Sequence, residues 1–312
     1  MITFFTTGKP FTGHSGVIQR NALKSWTLLG TEVEVILFGE DQGAGETASE
    51  LGIRHESHVE RNEYGTKRLN YLFCRAQEIA RHEVLCYLNC DIVLMEDFSL
   101  ALQKVMQAHS DFLMIGRRRD TEITKPQNFE NVSWQSLMRD EAMRHGKLRG
   151  AAWIDYFAFS RGLFPRNMPP FVVGRVFWDH WLVWRALDLQ KPVVDATAMV
   201  TTVHQNHDYA YHPRGIQGVW SGLEAGENHK MAGGWNHLRT IGDATERLTA
   251  HGVRKNRKRY LTVCKRYVRQ AGRKVFYDLC KPAWFLALTV TRPLRTALGM
   301  RSTALRRVRQ RL

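Results

Sequence analysis

Four polar clusters in this 312-residue chain combine residue types that can do chemistry. The first is Tyr87-Leu88-Asn89-Cys90-Asp91-Ile92, an apolar run that ends in Asn-x-Asp. A carboxylate at a strand tip suits a hard cation such as Mg²⁺ or Mn²⁺, which keeps waters and shares diphosphate oxygens with a substrate. It equally suits an Asx residue capping a turn. In Phe177-Trp178-Asp179-His180-Trp181 an acid opens a helix among aromatic rings. Apolar rings raise a carboxyl pKa toward that of a general base, and Asp is also a preferred helix cap. The third cluster, Thr202-Val203-His204-Gln205-Asn206-His207-Asp208-Tyr209, is another strand that runs into a polar tip. His204 ends that strand as Asp91 ends its own, and two such tips can share one metal ion. A lone His after a strand is commonly structural, whereas His204, His207 and Asp208 together favour a site. Zinc matches poorly, because His-x-x-His has no clear third ligand here. Finally, Arg117-Arg118-Arg119-Asp120 offers cations suited to diphosphate or, as plainly, a solvated loop.

The elements that must position these clusters alternate. Ile2–Thr7, Glu32–Phe38 and Val84–Leu88 read as strands, and Val17–Leu29, Glu46–Leu51 and Thr66–Arg81 as helices. The near-continuous apolar character of Val84–Leu88 predicts the buried middle of a parallel sheet. Further strands are expected at Asp111–Gly116, Trp153–Ser160, Pro192–Val194 and Met199–Val203, with a helix at His180–Leu189. This order predicts an α/β fold, an open doubly wound mixed sheet flanked by helices. Ligands of such sheets bind beyond the carboxyl ends of the strands. That rule points to Thr6–Lys9, Gly39–Asp41 and Asn89–Asp91 as one wall of a site. Residues 205–250, rich in Gly and His, read as loops over it.

Composition narrows the classes. A 44% hydrophobic fraction with 24% charged residues excludes a mostly disordered chain. The net charge of +15 is unevenly spread. Residues 251–312 hold 18 Lys and Arg against one acid, Asp278, while residues 1–250 hold 27 basic against 29 acidic side chains. A near-neutral body, 1–250, therefore carries a basic helical tail, 251–312. Five cysteines without a Cys-x-x-Cys pair suggest a reducing cytoplasm, with Cys86 and Cys90 as small core residues on a strand. No signal peptide is expected before Ile2, and no apolar run approaches the ~20 residues of a spanning helix. In the tail, Arg254–Arg259, Lys265-Arg266 and Arg269–Lys274 alternate with Tyr260, Tyr267 and Phe276-Tyr277, as in an interfacial membrane helix, and Trp284–Val290 could insert shallowly. Each Lys or Arg near an anionic leaflet contributes about 1 kcal/mol. A solvated basic tail is the plainer alternative. Nucleic acid is the weakest partner, since no binding module accompanies the charge.

These segments, in order, resemble the GT-A glycosyltransferases, which use nucleotide-diphospho-sugars. The resemblance lies in Ile18-Gln19-Arg20-Asn21-Ala22 with Ser25-Trp26, Glu34–Gly39, Glu50–His55, Asn62–Thr66, Asn89–Ile92 and Met114–Arg118. It continues through Asp155-Tyr156-Phe157, Arg161–Phe164, Trp178–Leu182, Asp195-Ala196-Thr197 and His204–Tyr209, covering roughly residues 2–250. The resemblance implies a nucleotide wall at Thr6, Thr7, Lys9, Glu40 and Asp41. It implies Mn²⁺ or Mg²⁺ held by Asp91 and His204, with Asn89 standing where the family's first motif Asp stands. Arg117 or Arg118 would assist the diphosphate. Asp155, Trp178 and His207 would contact substrate, and Asp179 would be the catalytic base of an inverting transfer. The partners so implied are a nucleotide-sugar donor and a glycan or lipid-linked acceptor. Surface polysaccharide or glycolipid assembly, at the inner face of a membrane bound through 251–312, is the setting this suggests. A sugar-nucleotide nucleotidyltransferase is the runner-up, although Thr6-Thr7-Gly8-Lys9-Pro10 is a poor match to the Gly-rich Arg-Lys loop of such enzymes. A non-catalytic nucleotide-sugar-binding protein is the other alternative.

Overall fold

The computed structural model describes residues 1–208 and 214–268. The strands are β1 (Ile2–Thr7), β2 (Val33–Phe38), β3 (Arg54–Glu56), β4 (Val84–Leu88), β5 (Ile92–Val93), β6 (Leu113–Thr121), β7 (Lys147–Leu148), β8 (Ile154–Ser160), β9 (Val193–Asp195), β10 (Thr202–Gln205), β11 (Glu246–Thr249) and β12 (Gly252–Lys255). Helices among the described residues include α1 (Gly13–Thr27), α2 (Ala44–Leu51), α3 (Leu69–Ile79), α4 (Glu96–Ala108), α5 (Trp134–Arg144), α6 (Trp178–Asp188), α7 (Gly215–Ser221) and α8 (Leu223–Met231). The fold is a mixed α/β one, as expected. Two units divide the chain, Met1–Arg259 and Tyr260–Leu312. The hairpin β11–β12 belongs to the first, and everything in the site below lies within that unit. Of the tail segments singled out above, Arg269–Lys274, Phe276-Tyr277 and Trp284–Val290 fall outside the described residues.

The main sheet runs β12-β11-β9-β6-β8-β4-β1-β2-β3. Alternation along β1 sends Phe4 to one face and Phe5 to the other, so both faces need a helical cover. Helices α1, α2 and α4 pack with Phe4, Val35 and Leu37 on one side, and α3 and α6 with Phe5, Ile36 and Phe38 on the other. This is the doubly wound arrangement. Strand β4 has a parallel neighbour only in β1; on its other edge it pairs antiparallel with β8. The expectation of a wholly parallel surrounding is corrected here, since apolar continuity reports burial on both faces and not the direction of the neighbours. Cys86 is wholly buried on β4, and Cys90 lies buried in the turn that follows it.

Reversal of β8 brings its N-terminal end to the edge where β4 and β6 end. Leu88 pairs with Tyr156, and the Asn89 amide donates to the Asp155 carbonyl. Strand β6 is longer than expected, because a bulge at Gly116 carries it onward. Ile115 pairs with Phe157, then Arg117 with Ile154. Beyond the bulge, Arg118–Thr121 leave the main sheet's register and pair in parallel with β10, which also pairs with β5. The Arg117–Asp120 segment is thus strand and not loop. Residues 205–250 also differ from expectation: they contain α7, α8 and β11, whose short lengths and Gly content hide their periodicity.

Gly116 is required at the bulge because a Cβ there would overlap the hydroxyl of the fully buried Tyr156. Overpacking of this kind costs about 1–3 kcal/mol. Gly116→Ala should therefore lower the thermal midpoint by about 4 °C; an unchanged midpoint would mean that Tyr156 moves aside freely.

Candidate functional site

A cavity of about 490 Å³ opens where β1, β4 and β10 end and β8 and α6 begin. Asp91 follows β4, His204 lies on β10, and His207 follows it. The antiparallel pairing of β10 with β5, His204 opposite Ile92, brings these tips together. One donor atom from each of Asp91, His204 and His207 lies within 4.8 Å of the others. His207 Nε2 is 3.1 Å and His204 Nε2 3.8 Å from Asp91 Oδ2, while Asp91 Oδ1 is buried without a hydrogen-bond partner. Burial alone would raise the Asp91 pKa. The His204 and His207 rings and Lys9 outweigh it and hold the carboxyl well below the usual carboxylate range. An ionised oxygen between two imidazoles, with one lone-pair set unused, can hold a divalent cation.

Behind these donors stands an ion network. Arg118 is buried and donates to Asp120 Oδ1 at 2.8 Å and to Asp155 Oδ1 at 2.9 Å. Asn89 Nδ2 donates to the same Asp155 oxygen at 2.7 Å, and Arg149 donates to Asp120 Oδ2 at 2.5 Å. Asp120 Oδ1 also lies 3.4 Å from His204 Nδ1, a carboxylate backing a potential metal-ligand ring. Burial, opposed by His204 and Arg118, leaves Asp120 lowered to about 2.

Asp179 sits in the first turn of α6, one residue inside the helix; Phe177 is its N-cap. Phe177 adopts φ +88°, a left-handed backbone that costs a non-glycine residue of order 1–3 kcal/mol. Ring contacts hold it there, to His229 at 4.8 Å and Trp235 at 5.8 Å between centroids. The segment before it is fastened to α8. Wholly buried Asn228 bonds the Val172 amide and the Val172 and Val176 carbonyls, and Glu224 pairs with Arg175. Asp179 Oδ1 has no hydrogen-bond partner. Burial raises its pKa, partly offset by His180, whose Nε2 is 3.7 Å from Oδ2, and by the His180 amide.

Of the residues expected from sequence, Thr7, Lys9, Asn89, Asp91, Arg118, Asp155, Trp178, Asp179, His204 and His207 line this one cavity. Four do not. Thr6 is buried and donates to the Leu88 carbonyl at 2.6 Å, stitching β1 to β4. Glu40 is exposed, with Arg61 3.8 Å away. Asp41 is paired with the buried Lys67, which also donates to the Gly8 carbonyl at 2.7 Å. Arg117 Nε donates to the Arg149 carbonyl at 2.5 Å. Alternation along β6 explains the last case: neighbours on a strand face opposite ways, so only one of Arg117 and Arg118 can face the cavity. His207, expected at the substrate, stands among the metal donors. Sequence reasoning missed Asp120 as the partner of His204, Lys67 as the partner of Asp41, and Trp153, Trp220 and Trp235 on the cavity wall. Strand alternation from Arg118 to Asp120 could have found the first of these.

No protein-family model and no curated protein matches this chain. Solved structures similar to it include glucosyl-3-phosphoglycerate synthase from Mycobacterium tuberculosis in complex with Mg²⁺ and uridine diphosphate. That match has TM-score 0.41 and 13% identity, over 66% of this chain and 72% of the other. The same enzyme with Mn²⁺, UDP-glucose and phosphoglyceric acid matches with TM-score 0.45 and 12% identity, over 82% and 86%. TarS of S. aureus in complex with UDP-GlcNAc matches with TM-score 0.43 and 8% identity, over 66% of this chain and 58% of that one.

A carboxyl whose pKa is raised by folding destabilises the fold once ionised. For Asp179 the penalty is absent below the ordinary carboxylate pKa and grows as pH rises through the raised one. Asp179→Asn should therefore raise the thermal midpoint increasingly as pH rises through the raised pKa, and the difference from wild type should vanish below the ordinary carboxylate pKa of about 3.9. A lower midpoint at pH 7 would contradict the desolvation of this group.

Proposed function

We propose that this chain is a glycosyltransferase that moves a sugar from a nucleotide-diphospho-sugar to an acceptor hydroxyl, with inversion at the anomeric carbon. One observation carries this: three metal-donor side chains and a desolvated carboxylate line the same cavity. It agrees with the GT-A resemblance of residues 2–250.

Asp91, His204 and His207 fit Mn²⁺ or Mg²⁺, and the two imidazoles favour Mn²⁺. A bound divalent cation would neutralise charge developing on the departing nucleoside diphosphate. Asn89 brings no charge where the family's motif has an acid, and His207 offsets that loss with a further donor. Lys9, on the same wall and electrostatically coupled to Asp91 and Asp208, adds a cation for phosphate oxygens. Thr7 and Asn89 offer hydrogen-bonding groups to the nucleoside. Asp179 takes the proton of the acceptor hydroxyl as its oxygen bonds the anomeric carbon. The bond to the diphosphate breaks on the opposite face, and its electron pair leaves with the nucleotide. The raised pKa of Asp179 brings it nearer the working pH, where a general base is most effective.

The C-terminal segment supports a second proposal, attachment to an anionic membrane surface. Residues 260–268 are helical and expose Tyr260, Leu261, Tyr267 and Val268 beside Lys265. Apolar and cationic groups so mixed favour the lipid interface. No helix among the described residues is long and apolar enough to cross a membrane.

Nucleotide-sugars should raise the thermal midpoint in the presence of Mn²⁺, by an amount set by affinity, and Asp91→Ala should abolish the metal-dependent shift. Asp179→Asn should keep that shift while lowering kcat on the order of 10²–10⁴-fold. Transfer by the wild type should fall as pH drops through the raised Asp179 pKa, so its acid limb lies above that of an ordinary carboxylate. Full-rate transfer by Asp179→Asn would remove the base from the scheme. Full-length protein should float with phosphatidylserine liposomes where a chain ending at residue 259 does not; equal flotation ends the membrane proposal.

A further inference from the structure

The transferase reading leaves the acceptor open, and one wall of the cavity bears on it. Trp153 precedes β8, Trp220 lies on α7, and Trp235 lies in a single helical turn, Gly234–His237. All three line the cavity. Trp220 and Trp235 keep 41% and 56% of their surface exposed, unusual for the largest apolar side chain unless it has a ligand to cover. Both rings are held from behind. Trp220 packs against Trp153 at 5.3 Å between centroids, and the Arg118 and Arg149 guanidiniums lie 4.7 and 4.4 Å from the Trp153 ring centre. Trp235 packs against Phe177, two residues before the proposed base. Fixed aromatic faces therefore share the cavity with Asp179.

The polar groups of this wall have a definite sign. The guanidiniums of Arg118, Arg149 and Arg175 are each ion-paired already, to Asp120 and Asp155, to Asp120, and to Glu224. What remains is acceptor capacity at Asp179, whose side chain keeps 20% of its surface exposed, while the partnerless Asp155 Oδ2 is shut away from solvent. With these guanidiniums engaged and Asp179 a like charge to a phosphate or carboxylate, an uncharged hydroxyl donor suits this wall better. A molecule with flat C–H faces, many hydroxyls and no charge matches both features.

We propose, resting on the transferase reading, that the acceptor is an uncharged saccharide whose ring lies on Trp220 and Trp235 and presents its hydroxyl to Asp179. Asp179 accepts a hydrogen bond from its hydroxyl, and the Trp faces take its C–H surface. Trp220 and Trp235 are then determinants of acceptor choice and play no part in holding the donor.

Tryptophan fluorescence of the full-length protein, titrated without nucleotide or added metal, tests this directly. The probes are neutral tetrasaccharides of glucose, N-acetylglucosamine, mannose and galactose, with 3-phosphoglycerate and a detergent-solubilised polyprenyl phosphate alongside. At least one tetrasaccharide should give saturable quenching. Trp220→Ala and Trp235→Ala should each weaken it tenfold or more, and Trp220→Phe should recover part of the loss. The Mn²⁺-dependent nucleotide-sugar shift should be unchanged in all three variants, which also shows that they fold. Quenching by the phosphorylated probes alone, by none of the probes, or equally in wild type and Trp220→Ala would overturn the proposal. Absence of the nucleotide-sugar shift in the wild type is a separate failure, that of the transferase reading, whatever the saccharides do.

Discussion

Arg118, held between Asp120 and Asp155, is the interaction on which the site depends. It joins two strands that run in opposite directions, β6 and β8, at the edge where β4 ends. Through Asp155 it reaches Asn89, and through Asp120 it reaches His204. A buried ion group of this kind adds little net stability, but removing one partner leaves an uncompensated charge and is expensive. Its effect is positional: the Asn-x-Asp turn, the β10 histidine and the start of β8 cannot shift independently.

Two further constraints converge on that edge. The bulge at Gly116, allowed by the missing side chain, lets one strand serve the main sheet up to Ile115 and the site from Arg118. The strained Phe177 backbone, clamped through Asn228 and Glu224 of α8, sets the first turn of α6 and hence Asp179. Strain at such a place is sustained because the packing around it is over-determined. Ionised Asp91 among cationic groups and desolvated Asp179 are two carboxylates driven apart in pKa by their surroundings, the pattern expected where one binds a cation and the other moves a proton.

Much of this was legible in the chain. Ile2–Thr7 and Val84–Leu88 are strands to the residue, because fully buried strands carry dense β-branched and aromatic runs bounded by Gly, Asn and Asp. Asp91 and His204 stood out as polar tips on such runs, and Asp179 as an acid opening a helix among aromatic rings. Helices α4 and α5 escaped notice, α5 because only Met138 and Ala142 of its residues are buried, too few to print a stripe. Helices α7 and α8 are short, and their notable contacts are polar or aromatic, Trp220 with Trp153 and Glu224 and Asn228 with residues 172–176, so neither prints an apolar stripe.

The sequence by itself therefore determined the α/β alternation, the strand tips and the chemical types gathered there, since these follow from local periodicity and composition. Only the tertiary structure decided which tip residues share a cavity. His207 joins Asp91 because β10 pairs antiparallel with β5, Arg118 and not Arg117 faces inward because of strand alternation past a bulge, and Asp41 is engaged by Lys67 across the sheet edge. Each of these depends on contacts between residues far apart in the chain, and no local pattern encodes strand order, register or the partner that neutralises a charge.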